Sequence, residues 1–220
     1  MYSVQVKSSA QPADRRARKR LALRQSISVA ATRLFLKRGF DQVTVDEIAA
    51  AADVGRMTVF NHFPRKEDMF FDRDAEGREI LREALRQREP HVPPIEALRE
   101  LAHRLAAEQS PLVRFTAGSQ GFIKTIEASE SLKARAREIR DELAQVLSAA
   151  LAECVGRPAS DPAAQLAAAL LLATWTVALI DGHRTFRQTR SKDQAKAAFL
   201  ALVEQGTLGL KAAMIGTPYA

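Results

Sequence analysis

Residues 44–63 read TVDEIAAAADVGRMTVFNHF. The first half is a short helix with its own start signal. Thr44 can accept from the backbone N–H of Glu47, and the Glu47 carboxylate can reach back to the N–H of Thr44, which makes a capping box. Asp53, Val54 and Gly55 then break the helix, and a second short helix runs to about His62, ahead of Pro64. A short helix, a tight turn and a second short helix form the helix-turn-helix pattern. Such short helices hold only when packed on each other and on a supporting element. Ile48, Ala49, Val54, Val59 and Phe63 supply the inner face, and Val59 and Phe63, four apart, share one side of their helix. The other side carries Arg56, Met57, Phe60 and Asn61.

The supporting element lies just upstream. Residues 15–39 begin with a basic run (Arg15, Arg16, Arg18, Lys19 and Arg20) and continue as a helix. Its apolar stripe is Ile27, Ala30, Ala31, Leu34 and Phe35, at three- and four-residue steps. Gly39 is its left-handed stop. Residues 1–14 are expected to be a disordered basic arm. Of the 33 Lys and Arg residues, 13 lie in residues 1–70, against 7 Asp and Glu; the rest of the chain is nearly balanced. A basic excess confined to one segment points to an anionic partner, nucleic acid or membrane surface, or else to a solvated basic tail. The outward helix face favours nucleic acid, because Arg can bond two acceptors on guanine and Asn can bond adenine. Thr44 and Lys66 begin helices, where free N–H groups suit a phosphate. The candidate DNA contacts are Thr44, Arg56, Met57, Thr58, Phe60, Asn61, His62 and Lys66.

Over residues 24–70 the chain resembles the DNA-binding domain of TetR-type (tetracycline-repressor-like) transcriptional regulators. The resemblance rests on Ile27, Ala30, Ala31, Leu34, Phe35 and Gly39. It continues through Thr44, Ile48-Ala49, Ala52-Asp53-Val54, the run Thr58-Val59-Phe60-Asn61-His62-Phe63, and Lys66-Glu67. There are departures. Asp53 replaces the usual turn glycine, and Asp tolerates left-handed geometry better than most residues. Gly55 replaces a frequent Ser cap, and Phe60 replaces a tyrosine whose hydroxyl usually meets a phosphate.

The remainder reads as helices, with no sustained period-two alternation of the kind strands require. Pro90, Pro93, Pro94, Ser110-Pro111, Gly156 and Pro158 punctuate it. The segments are 95–109, 112–127 (weakened by Gly118 and Gly121), 131–155, 161–188 and 191–212. The last two open on Asp161-Pro162 and on a Ser191–Gln194 capping box. The fold class is therefore all-α, about nine helices, with a helix-turn-helix domain over 15–64 and a helical domain over 65–213. The apolar run 163–180 approaches the length of a membrane span. Its alanine content and the bracketing Asp161 and Asp181 fit a helix buried in a bundle or between subunits, so no membrane is expected. Cys154 is the lone cysteine, as in a reducing cytoplasm. The four histidines are scattered, and no phosphate loop or nucleophile elbow occurs. No catalytic residue, metal ligand or cofactor is assigned. An enzyme, and a helical module binding a membrane surface or another protein through its basic N-terminus, are the alternatives to a regulator.

The resemblance implies that the second domain binds a small-molecule effector and forms a homodimer through its last two helices. Leu166, Leu170, Ala173, Val177 and Ile180 make one stripe; Ala195, Phe199, Leu202, Gly206 and Leu210 make another. Periodicity alone is equally compatible with burial in one subunit's core. Phe115, Phe122, Trp175, His183 and Phe186 are the candidate effector pocket, and each also fits plain core packing. The small net charge beyond residue 70 points to a largely apolar ligand. A dimer would read a palindromic operator, and ligand binding would release it: a repressor.

Overall fold

The protein is described here by a computed structural model covering residues 12–220, with side chains from Arg15 onward. Residues 1–11 of the expected arm lie outside the described residues; its last three positions open the first helix. The described residues contain ten helices and no strand. The chain divides after Asp72 into two compact units.

The N-terminal unit holds α1 (Pro12–Arg38), α2 (Val45–Ala51), α3 (Arg56–His62) and α4 (Lys66–Phe70). Its core joins the stripe of α1 to the inner faces of the others. Ile27, Ala31, Phe35, Ile48, Val59, Phe63 and Met69 are fully buried. Phe35 meets Phe40 at a ring separation of 4.8 Å and Phe70 at 6.0 Å. Each such ring contributes roughly 1.5–3 kcal/mol of burial. The sequence places the boundary at 64, with a helix beginning at Lys66 beyond it. The chain instead turns Met69 and Phe70 into this core, and α4 ends at Phe70. Buried Ser28 of α1 then hydrogen-bonds the Asp72 carboxylate. These ties carry the unit eight residues past the expected boundary and account for the extra helix.

The C-terminal unit holds α5 (Asp74–Arg86), α6 (Pro94–Ala107), α7 (Ala117–Glu127), α8 (Glu130–Cys154), α9 (Pro162–Thr189) and α10 (Lys192–Ala213). The segment 112–116 is not helical; α7 starts later, at a capping box between Thr116 and Ser119. Asp161 caps α9 by accepting from Ala163 N–H at 3.1 Å, with Pro162 at the first helical position. Arg190 turns the chain at φ 59° into α10. The two long helices run antiparallel and very close. A Cβ on Gly182 would lie 3.2 Å from the Ala195 carbonyl of α10 (and 2.5 Å from the Phe115 ring), and one on Gly206 would lie 2.2 Å from Thr174. Tyr219 is fully buried; its hydroxyl donates to Asp161 at 2.5 Å, and its carbonyl accepts from Ile95 N–H at the start of α6.

α9 is long and apolar enough to cross a membrane by length and composition. One of its faces, with Ala164, Ala167, Ala168, Leu171 and Ala178, is buried in this unit's core. The two expected stripes separate here. Leu166, Leu170, Ala173, Val177 and Ile180 are exposed, Val177 and Ile180 each at 55%. In the α10 stripe, Ala195, Phe199 and Leu210 are buried and Gly206 abuts Thr174, so it faces inward. The exposed large apolar side chains here are Leu208 of α10 and Ile215, just beyond its end.

Candidate nucleic-acid interface

The geometry of α3 is fixed from three directions. The turn before it uses Asp53 at φ 55°, the left-handed conformation expected of it, and Val54 N–H bonds Ala49 carbonyl at 3.0 Å. Gly55 is the N-cap and gives no side-chain bond. From below, Val59 and Phe63 are fully buried. From α1, the Arg24 guanidinium lies 4.0 Å above the Phe63 ring and donates to the carbonyl of His62. A cation on the terminal carbonyls of a helix complements its dipole. Arg24 was not anticipated: its partner lies 38 positions away, beyond the reach of any periodic signal.

α2 is anchored by both halves of its capping box. Glu47 N–H donates to Thr44 Oγ1 at 3.3 Å, and Thr44 N–H to Glu47 Oε2 at 2.8 Å. Arg38 adds an ion pair at 2.6 Å. The backbone bond from Thr44, with Arg38 beside it, holds the Glu47 carboxyl down to about 2.

The outward residues differ in availability. Met57 is 70% exposed, and Asn61 is exposed. Arg56 reaches solvent while paired to Asp46 at 2.8 Å, with its guanidinium 5.5 Å from the Phe60 ring. Thr58 and Phe60 are half-buried. His62 is half-buried too, and burial together with Arg20 and Arg24 holds its imidazole below the ordinary value. Thr44 spends its N–H and hydroxyl on its own cap. Lys66 places Nζ 3.0 Å from the carbonyls of Phe40 and Val43, and 4.1 Å over the Phe40 ring. Its ammonium therefore clamps the α1–α2 loop. Arg15, Arg16, Arg18, Lys19 and Arg20 are exposed on α1.

In the C-terminal unit, Phe115, His183 and Phe186 are buried in the core, while Phe122 and Trp175 are half-buried. Phe115 and His183 meet edge-on at 5.0 Å. Sequence reasoning missed Gln120. It is buried, donates to the His183 carbonyl at 2.8 Å and lies 3.1 Å from His183 Nδ1. Its Oε1 is buried without a partner. Burial, then Arg187, holds His183 below its ordinary value, which favours the neutral imidazole. A cavity of 750 Å3 lies elsewhere, between α5 and α8, lined by Leu85, Arg88, Val146, Ala149 and Cys154 among others. Arg88 is bound there to the Cys154 and Val92 carbonyls, and burial pushes the Cys154 thiol up. No group of three or more His, Cys, Asp or Glu side chains is placed to hold a metal ion among the described residues.

A seven-residue helix is about 10 Å long, and the major groove is about 12 Å wide. α2 and α3 form a helix-turn-helix, with Arg56, Met57 and Asn61 presented on the outward face of α3, the arrangement of a helix-turn-helix DNA-binding protein. Residues 27–72 match the sequence profile of the bacterial regulatory proteins of the tetR family. Over 160 residues the chain is 31% identical to the HTH-type transcriptional repressor BepR of Brucella suis biovar 1 (strain 1330), spanning 68% of this chain and 75% of that protein. The fold is similar to that of FadR from Thermus thermophilus, a TetR-family transcriptional repressor solved with lauroyl-CoA. That match has a TM-score of 0.55 at 25% identity and covers 87% of this chain and 95% of FadR. It is also similar to NalD of Pseudomonas aeruginosa, the secondary repressor of the MexAB-OprM multidrug efflux pump (TM-score 0.55, 21% identity, 84% of this chain and 97% of NalD). The chain belongs to the tetR family of transcriptional regulators.

Proposed function

We propose that the protein is a ligand-responsive repressor, acting in the cytoplasm, that binds a palindromic operator as a homodimer and is released by a small, largely apolar molecule. The observation that carries this is the two-sided α3. Val59 and Phe63 are fully buried, while Arg56, Met57 and Asn61 stand in solvent with base-reading chemistry. Arg56, Met57 and Asn61 make the base contacts, with Thr58, Phe60 and His62 at the margins. Thr44 and Lys66 act by holding the helices in place. The exposed arginines and lysine of α1 add phosphate contacts.

The homodimer is supported by the outer face of α9, α10 and the turn that follows α10. Leu166, Val177, Ile180, Leu208 and Ile215 are between 49% and 79% exposed. Two such helix pairs meeting about a two-fold axis bury these side chains in a four-helix interface, at about 25 cal/mol per Å2. A two-fold dimer calls for a two-fold operator. Effector recognition is assigned to the C-terminal unit, at Phe115, Phe122, Trp175, His183 and Phe186. Gln120 Oε1, buried and unpaired, is the acceptor open to a ligand donor. Release requires that the ligand bind more tightly to the state that cannot span successive major grooves. BepR, FadR and NalD are all described as repressors, which supports repression over activation.

The test is a gel shift with the DNA upstream of the protein's own coding sequence, against a scrambled duplex, from 50 to 200 mM salt. Selective, salt-sensitive binding is expected. Equal binding to both duplexes contradicts the proposal and favours a basic helical module. A thermal-shift screen of small molecules then tests the effector arm: hits that also dissociate the DNA complex are expected.

A further inference from the structure

Asp46 stands in the first turn of α2, 64% exposed, with Oδ2 2.8 Å from Nη1 of Arg56. An ion pair this open to water adds little to folding stability. A carboxylate beside a DNA-reading arginine also repels phosphates, which weakens affinity for DNA of any sequence. What the pair supplies is orientation. Arginine is long and rotamer-rich, and ordering it on binding is costly. Here Asp46 holds one guanidinium nitrogen and the Phe60 ring, 5.5 Å away, borders the group. The remaining N–H groups are left as a directed fork, the geometry that bidentate reading of guanine requires.

We propose that Asp46 is a positioning residue: it holds Arg56 in one orientation, so that the guanidinium reads a guanine edge instead of a neighbouring phosphate. The pair thereby sets sequence discrimination at one base pair in each half-site. This rests on the proposed reading of DNA by α3. The competing role for Asp46 is as a favourable charge at the start of α2. That role predicts a loss of stability with discrimination intact.

The test uses the full chain and a duplex site selected by the wild-type protein from a random-sequence pool. Affinities for that site and for each single base-pair variant are measured across KCl concentrations. Asp46→Ala is expected to lower discrimination at one base pair per half-site about tenfold. It should also tighten binding to unrelated DNA. The slope of log affinity against log salt should steepen by up to about one per subunit, as the freed arginine takes a phosphate. Asp46→Glu should recover part of the discrimination. In an Arg56→Ala background, Asp46→Ala should remove no further discrimination. Equal weakening on every sequence overturns the inference, as does an equal effect of Asp46→Ala with and without Arg56. A wild type that selects no sequence overturns both this inference and the reading beneath it. A selective wild type with an indifferent Asp46→Ala overturns this inference alone.

Discussion

Lys66→Met separates two roles for a lysine that the sequence alone places at a phosphate. Methionine keeps the packing of the stem and removes the ammonium. The ammonium makes two hydrogen bonds of 3.0 Å, to Phe40 and Val43 carbonyls, and sits 4.1 Å over the Phe40 ring. Hydrogen bonds to a charged group contribute about 1.5–3 kcal/mol each when buried. Lys66 is half-buried, and water can replace it at the freed carbonyls, so about 1 kcal/mol each is reasonable. The cation–ring contact adds roughly 0.5–1 kcal/mol. The sum is about 2–3 kcal/mol, or a fall of ~5–10 °C in melting temperature for a chain of this size. Calorimetry or circular dichroism reads the melting point, and a salt titration of DNA affinity reads the phosphate count. The salt slope should be unchanged, because the ammonium is spent inside the protein. An unchanged melting point with a slope reduced by about one per subunit would refute the clamp and restore the phosphate contact.

Val177→Asp places a charge in the exposed stripe of α9; sedimentation should find a monomer with normal helicity and weakened operator binding, whereas an unchanged dimer would contradict the proposed interface. Gly206→Ala should destabilise the fold by roughly 1–3 kcal/mol, since the new methyl would lie 2.2 Å from Thr174. Adding Thr174→Ala should return part of that loss in urea melts, and no recovery would place the strain elsewhere. His62 and His183 are both held below their ordinary value of 6.5, chiefly by burial. The unfolded chain takes up protons that the native state refuses, so stability should fall as pH drops below 6.5. Glu47, held from 4.5 down to about 2, adds a further loss below 4.5. Urea melts that are flat or stronger from pH 7 to 5.5 would contradict the assignment of neutral histidines.

What was legible in the sequence is what local physics dictates. The Thr44–Glu47 box, the Asp161-Pro162 start, the stop at Gly39 and the left-handed Asp53 all depend on neighbours within a few positions, and all are present. The α1 stripe and the inner face of α3 follow from helical spacing alone. The missed features are contacts between distant positions. Lys66 reaches carbonyls 23 and 26 residues back, and Gln120 meets His183 63 residues on. The α10 stripe shows the limit of periodicity: it finds an apolar face but not what covers it. Here the face closes on α9 through Gly206, and a different, narrower set of side chains is left outside. α7 starts later than its sequence suggests because residues 112–116 are apolar enough to read as helix, while the Thr116 cap fixes the beginning.

The proposed function requires α3 to lie in the major groove of a two-fold site. Methylation protection on the selected duplex tests it directly, because guanine N7 is exposed only in that groove. The expected result is two protected patches, their centres one helical turn or a multiple apart, with Arg56→Ala losing one guanine in each. Phosphate protection with every N7 left reactive, or a single protected patch, would contradict it.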